Sequence, residues 1–170
     1  MNTFEIEVTM LLENAEGETF TIELNDSCNT LEDVIEVLIE DLNNLKEDDE
    51  DFDHIESLEN SDFEINWGNV PTWAQDFDTL EELMPIYYSS SYDIEVFEAA
   101  NDCDIQFSDI DEAYSGEFKS DEDFAEDMAE QLGYMKETKN WPFNCIDWTF
   151  AAKELMYDYC TSNNHYFRNL

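Results

Sequence analysis

Basic residues are nearly missing from this chain: its 170 residues carry 45 acids against 6 bases, a net charge of −39. Such a chain repels phosphate, so direct binding to nucleic acid is the function the charge nearly excludes. Histidine is almost as scarce, with only His54 and His165, and the four cysteines (Cys28, Cys103, Cys145, Cys160) form no CxxC pair. A zinc site therefore has no local signature, and neither a metal nor any other cofactor is expected. The cysteines read as mostly buried small residues in a reducing cytosol rather than as disulfides. HExxH, GxSxG, P-loop and Cys–His constellations are all lacking. Paired carboxylates arise by chance among 45 acids, so they are no sign of an enzyme, and none is expected. The opening MNTFEIEVTM has neither the basic nor the apolar region of a signal peptide. No apolar run approaches the roughly 18 residues of a membrane span. A cytoplasmic protein without membrane contact is the expectation.

What is present is enough apolar material for a core: 42% hydrophobic and 14% aromatic residues, too much for a disordered acidic tail. The charge is uneven. Residues 1–118 hold 35 acids and one base (Lys46), whereas 119–170 hold 10 acids and 5 bases. The less charged quarter is also rich in aromatics, among them Trp141, Phe143, Trp148, Phe150, Tyr157, Tyr159, Tyr166 and Phe167. Three explanations of the charge compete. One is a solvated acidic surface of the halophilic kind. A second is calcium binding by the run Asp48-Asp49-Glu50-Asp51-Phe52-Asp53. A loop starting at Asp49 meets His54 and Asn60 where an EF-hand needs Gly and Glu. One starting at Asp48 gains Glu59 at the last position but meets Phe52 at the fifth, so neither frame works. The third is imitation of nucleic acid. At one charge per ~1.7 Å of duplex axis, the chain's charge equals that of roughly 20 base pairs. The partner would then be a basic DNA-binding groove.

Residues 3–12 alternate Phe4, Ile6, Val8, Met10 and Leu12 with Glu5 and Glu7, a half-buried strand. A turn at Asn14–Gly17 and a second alternating run at 19–24 complete a hairpin. Thr30 caps a helix whose apolar stripe runs from Leu31 to Leu45, with Glu32, Asp33, Glu36, Glu40 and Asp41 outside. Residues 46–60 are an acidic loop or short helix. Residues 62–67 form a third strand paired with the hairpin. A short helix opens at Pro71, and a second is capped by Thr79 and stopped by Pro85. Tyr87–Ser91 is a turn, and 92–100 has Ile94 and Phe97 at helical spacing, although SYDIEVF (91–97) also fits a short strand. Ser108 caps a helix over 109–114 that Ser115-Gly116 ends.

The clearest signals belong to the next helix. Ser120 is its N-cap with Asp123 three residues on, and Gly133 ends it. Phe124, Met128 and Leu132 share its apolar face with Ala125 and Ala129, while every charged position is acidic. Glu126 and Glu130 are a like-charge i,i+4 pair, costing a few tenths of a kcal/mol. A last helix spans about 145–159, with Trp148, Ala151, Ala152, Leu155, Met156 and Tyr159 inward, and His165–Phe167 closes as a strand. The class is α+β, an elongated chain of small domains: an N-terminal sheet-plus-helix domain (1–68), a mostly helical middle (69–106) and a C-terminal domain (107–170).

Asp111-Glu112-Ala113-Tyr114-Ser115-Gly116-Glu117-Phe118, then Ser120-x-Glu122-Asp123-Phe124-Ala125 and Glu130-x-x-Gly133-Tyr134, resemble the ArdA antirestriction proteins. So do Ile146-Asp147-Trp148, Ala152-x-x-Leu155, Tyr157-Asp158-Tyr159 and the tail Phe167-Arg168-Asn169. The likeness covers residues 107–169 in order. It implies a DNA mimic made by a mobile element or phage, with three small domains in an elongated, curved body that forms a homodimer. It implies inhibition of type I restriction–modification enzymes through their DNA-binding groove, blocking restriction and often modification, without catalysis.

The expected working surface is distributed over arrays. These are Glu32, Asp33, Glu36, Glu40 and Asp41; Glu47, Asp48, Asp49, Glu50, Asp51 and Asp53; Asp102, Asp104, Asp109, Asp111, Glu112 and Glu117; and Asp121, Glu122, Asp123, Glu126, Asp127 and Glu130. A second reading keeps the mimicry and changes the target to a CRISPR effector, another defence nuclease or a nucleoid protein. A carboxylate enzyme and a halophilic scaffold are the remaining two.

Overall fold

The computed structural model describes residues 3–11, 19–45, 63–133, 141 and 143–170. The turn expected at 14–17 and the acidic segment 46–60 lie outside the described residues. The class is α+β: two three-stranded antiparallel sheets and six α-helices among the described residues. Contacts divide the chain into two compact units, Met1–Ser91 and Tyr92–Leu170. The division falls inside the stretch read from sequence as a middle domain.

In the first unit β1 (Phe4–Met10) is the central strand, flanked antiparallel by β2 (Thr19–Leu24) and β3 (Phe63–Asn66). Its period of two buries Phe4, Ile6, Val8 and Met10 and leaves Glu5 and Glu7 in solvent. Ile22 and Leu24 of β2 and Phe63 of β3 join the buried face. Helix α1 (Leu31–Leu45) buries Val34, Leu38 and Leu42 and contacts β2. Helix α2 (Phe77–Ser89) adds Tyr87, whose ring lies 5.4 Å from that of Phe4, and Tyr88, whose hydroxyl donates to the Leu24 carbonyl at 3.0 Å.

Local chemistry sets the ends of these elements. The Asp33 amide donates to Thr30 Oγ1 at 3.2 Å, and the Asp33 carboxylate accepts from the Thr30 amide at 3.0 Å and its hydroxyl at 2.6 Å. This reciprocal cap of α1 contributes about 1 kcal/mol. After β3 the chain turns at Gly68, with φ +51°, where a Cβ would collide with the Glu5 carbonyl. Asn69 then accepts from the Glu5 amide at 2.8 Å and donates to the Thr3 carbonyl at 2.7 Å, replacing a strand partner beside β1.

Helix α2 departs from the sequence expectation at both ends. Its N-cap is Asp76, which accepts from the Thr79 amide at 2.7 Å, not Thr79 itself. Pro85 does not stop it, and Tyr87–Ser89, expected in a turn, are helical. Proline removes only its own donor, and the buried face of Leu80, Leu83, Met84 and Tyr87 holds the turns on either side.

In the second unit β4 (Tyr114–Glu117), β6 (His165–Arg168) and β5 (Tyr159–Ser162) form a sheet in that order. Helices α3 (Ile94–Asp102), α4 (Ile110–Ala113), α5 (Asp121–Gln131) and α6 (Trp148–Leu155) surround it. Phe124 of α5 packs on Tyr159 and Tyr166, with ring separations of 4.9 and 4.6 Å. Tyr114, His165 and Phe167 lie together on the other face, where α3 contacts β5 and β6. Ser120 caps α5 as expected, and Gly133 takes φ +75° just beyond it.

Two expectations fail here. Ser115 and Gly116 do not end a helix. A 3-10 turn (Phe107–Asp109) and the short α4 precede them, and both residues lie in β4. The last helix is shorter than 145–159, because Asp147 caps it by accepting from the Phe150 amide at 3.1 Å, and Tyr159 already begins β5. Asn163 and Asn164, with φ +49° and +68°, make the two-residue turn into β6.

The cysteine reading also needs correction. Cys103 and Cys160 form a disulfide across a sequence separation of 57, tying the end of α3 to β5. Closing a loop of that length contributes about 4 kcal/mol in the chain-entropy account. Beside it Ser162 donates to Asp102 at 2.6 Å. Cys28 is buried as a thiol, whereas Cys145 is exposed. The argument for a reducing compartment from cysteine usage therefore falls.

Candidate functional site

No cluster of three or more metal-ligating side chains exists among the described residues, and none of their helices is long and apolar enough to cross a membrane. What the two units present is carboxylate surface with few counter-charges. Only three described residues are Lys or Arg: Lys119, Lys153 and Arg168. All are exposed, and all belong to the second unit.

On α1, Glu32, Glu36 and Glu40 are exposed in one row at four-residue intervals. Each step is ~6 Å of helix axis, and two such charges repel by about 0.7 kcal/mol in unscreened water. Asp33 and Asp41 are only partly exposed. Asp33 differs in role from its expected neighbours. It caps the helix, and hydrogen bonds from Thr30, then Asn29, hold its carboxyl below the ordinary value. Glu47, Asp48, Asp49, Glu50, Asp51 and Asp53 lie outside the described residues.

In the second unit the array at 102–117 is less uniform than its sequence suggests. Asp102 accepts from Ser162, and Asp109 is half-buried and accepts from Ser108 at 3.3 Å. Burial, followed by a hydrogen bond to Asp111, pushes the Tyr92 phenol above its ordinary value. Asp104, Glu112 and Glu117 are exposed, with Asp104 at φ +55° and Glu117 opposite His165 across β4 and β6.

On α5, three of the six expected carboxylates hold structure. Asp121 accepts from the Tyr166 hydroxyl at 2.7 Å, Glu122 from Thr149 at 3.2 Å, and Asp127 from Gln131 at 2.6 Å. Asp123, Glu126 and Glu130 are exposed. Burial and the Asp121 contact push the Tyr166 phenol up to about 12.

The structure also assembles an acidic face outside the expected arrays. The solvent side of the first sheet carries Glu5 and Glu7 of β1, Glu23 of β2 and Glu64 of β3, all exposed. Glu5 and Glu23 are direct cross-strand partners, a like-charge arrangement that costs roughly 0.2–1 kcal/mol. Glu7 accepts from Asn66 Nδ2 at 2.8 Å. Strand alternation exposes these residues in sequence, but only the strand pairing gathers them on one surface.

No protein-family model, curated protein or solved structure matches the chain. The likeness to ArdA proteins accordingly rests on the motif residues alone.

Proposed function

We propose that this protein is a DNA mimic that occupies the DNA-binding groove of a type I restriction–modification enzyme and thereby inhibits restriction and, with it, modification. The observation that carries the reading is the exposed carboxylate surface of the first unit, whose described residues include no Lys or Arg. Rows such as Glu32-Glu36-Glu40 and the sheet face Glu5, Glu7, Glu23 and Glu64 offer fixed negative charges to a groove lined with Lys and Arg. Several exposed acids lack the hydrogen bonds that would explain them structurally, and their mutual repulsion opposes folding. The enzyme's DNA-binding subunits are the partner, the working form is a homodimer in the bacterial cytoplasm, and no catalytic step is involved.

Cleavage of unmodified DNA by a purified type I enzyme, with this protein added in increasing amount, tests the reading. Inhibition should approach completion near stoichiometry. Replacing Glu32, Glu36 and Glu40 together with Gln should weaken it at least tenfold, while each single replacement leaves it nearly unchanged. Undiminished cleavage at saturating protein would refute it.

One observation favours a second target. The acidic sheet face belongs to the first unit, whereas the ArdA-like motifs are confined to 107–169. A different DNA-binding defence enzyme, such as a CRISPR effector, is the alternative that this face supports.

A further inference from the structure

The two units differ in how much core they own. Among the described residues the second unit buries twelve apolar side chains, five of them alanines, whereas the first buries seventeen with a single alanine. Six of the seven exposed large apolar side chains also belong to the second unit. A unit of under about 80 residues with so small a core depends on a staple. Cys103–Cys160 is the one disulfide among the described residues. It joins the end of α3 to β5, an edge strand of four residues paired with β6 alone. The hydrogen bond from Ser162 to Asp102 lies beside it. Tyr159, next to Cys160, packs on Phe124 of α5 at 4.9 Å, so the hold on β5 extends to the helix that carries Asp123, Glu126 and Glu130. Both cysteines are only half-buried, within reach of a thiolate from solvent.

We propose that Cys103–Cys160 is a reversible redox site that sets how firmly the second unit is folded. The inference rests on the cytoplasmic setting of the reading above. Thiols are kept reduced there, and a disulfide that forms is usually catalytic or redox-sensing. The exchange moves two electrons. The thiolate of a dithiol attacks one sulfur of the bond, and the displaced sulfur leaves as a thiolate that takes up a proton. The second thiol of the reagent then displaces the other cysteine, which leaves Cys103 and Cys160 as thiols and the reagent as a cyclic disulfide. The oxidised dithiol runs the same steps backwards and closes the bond. Asp102 and Asp104 flank Cys103, and Asp158 lies two residues before Cys160, so a neutral dithiol is favoured over an anionic monothiol such as glutathione. With the bond open, β5 keeps its pairing with β6 and loses its covalent tie to α3. The bond closes a loop across a sequence separation of 57, so its loss multiplies the opening equilibrium of the second unit by up to about a thousandfold. The first unit contains neither cysteine and keeps its fold.

Amide hydrogen exchange of the full chain, read segment by segment by mass spectrometry, tests this site. The chain treated with oxidised dithiothreitol is compared with the same chain in reduced dithiothreitol, and again after reoxidation. Reduction should speed exchange in α3, β5 and β6 by about tenfold or more and leave β1 within about threefold of its oxidised rate. Reoxidation should restore the slow rates. Replacing both residues, Cys103→Ser with Cys160→Ser, should give the fast pattern in either buffer. A chain that does not form the bond in oxidised dithiothreitol would overturn the proposal. So would a smaller response in the second unit, a first unit that opens with it, slow rates that do not return, or a double variant that still answers to the dithiol. A redox response in a protein that inhibits no DNA enzyme would leave this site standing without the mimicry. Inhibition by a chain that shows no redox response would leave the mimicry standing without this site.

Discussion

Replacing Glu23 with lysine should stabilise the first unit. Glu23 lies on edge strand β2, directly across from Glu5 on the exposed face of the sheet. Like charges in that position cost, and unlike charges gain, roughly 0.2–1 kcal/mol each, so reversing one sign is worth about 1 kcal/mol. The new lysine also enters a unit with no other described base, so longer-range attraction from Glu7 adds to the gain. For a folding unit of this size, a gain of that order raises Tm by about 4–8 °C. Thermal unfolding followed by calorimetry at low salt reads the effect directly. Repeating it in ~1 M salt, where the Debye length is about 3 Å, should remove more than half of the gain. Glu23→Gln, which only deletes the repulsion, should give about half. An unchanged or lower Tm at low salt, or a gain that survives high salt undiminished, would refute the electrostatic reasoning. On the mimicry reading, the working surface is distributed, so this single change raises stability and leaves inhibition nearly unchanged.

Three further substitutions probe the groups that hold each unit. Asp33→Ala removes the reciprocal cap of α1 and should cost about 1 kcal/mol in denaturant unfolding at neutral pH. Because the folded carboxyl is held below its ordinary 3.8, that stability is present above this pH and fades as the pH falls through the folded value, so parent and variant should converge in acid. Tyr166→Phe removes the donor to Asp121 and should cost roughly 1 kcal/mol at neutral pH. The phenol's value is raised from 10.0 to about 12, so its contribution is complete below pH 10.0 and is lost as the pH rises through about 12. The variant's alkaline unfolding curve should be flatter by that component. Opening the Cys103–Cys160 bond with a dithiol, or making Cys160→Ser, should lower stability by up to about 4 kcal/mol. Thiol titration of the unreduced, unfolded chain should find two thiols, and four would contradict the bond.

The sequence made the first sheet legible because one face of each strand is buried, so Phe4, Ile6 and Val8 alternate with Glu5 and Glu7. Helices α1 and α5 were legible from their caps and apolar spacing, although α5 buries only Phe124 and Ala125 and leaves Leu132, expected on its apolar face, 64% exposed. Of the second sheet only β6 was legible, as the closing strand at His165–Phe167; β4 and β5 were not. Both faces of that sheet are covered, so β5 shows no alternation, and Tyr159 fits the helical spacing of the segment before it. The Asn163-Asn164 pair was the available turn signal. Pro85 misled because a proline's effect depends on the packing around it. The disulfide was hidden because Cys103 and Cys160 approach only after α3 and β5 are placed. Among the acids, sequence marked the rows on α1 and α5. It did not separate exposed charges such as Glu36 and Glu130 from those engaged as Asp33 and Asp121 are, since that depends on hydrogen-bond partners. The sheet face of Glu5, Glu7, Glu23 and Glu64 needed the strand pairing.

The most direct test of the mimicry is displacement. A type I methyltransferase core is bound to labelled DNA, and the folded protein is titrated in at two salt concentrations. The account predicts release of the DNA near stoichiometry at low salt and markedly weaker binding of the protein at high salt. Retention of the DNA at low salt, or competition by a protein whose own affinity does not change with salt, would contradict it.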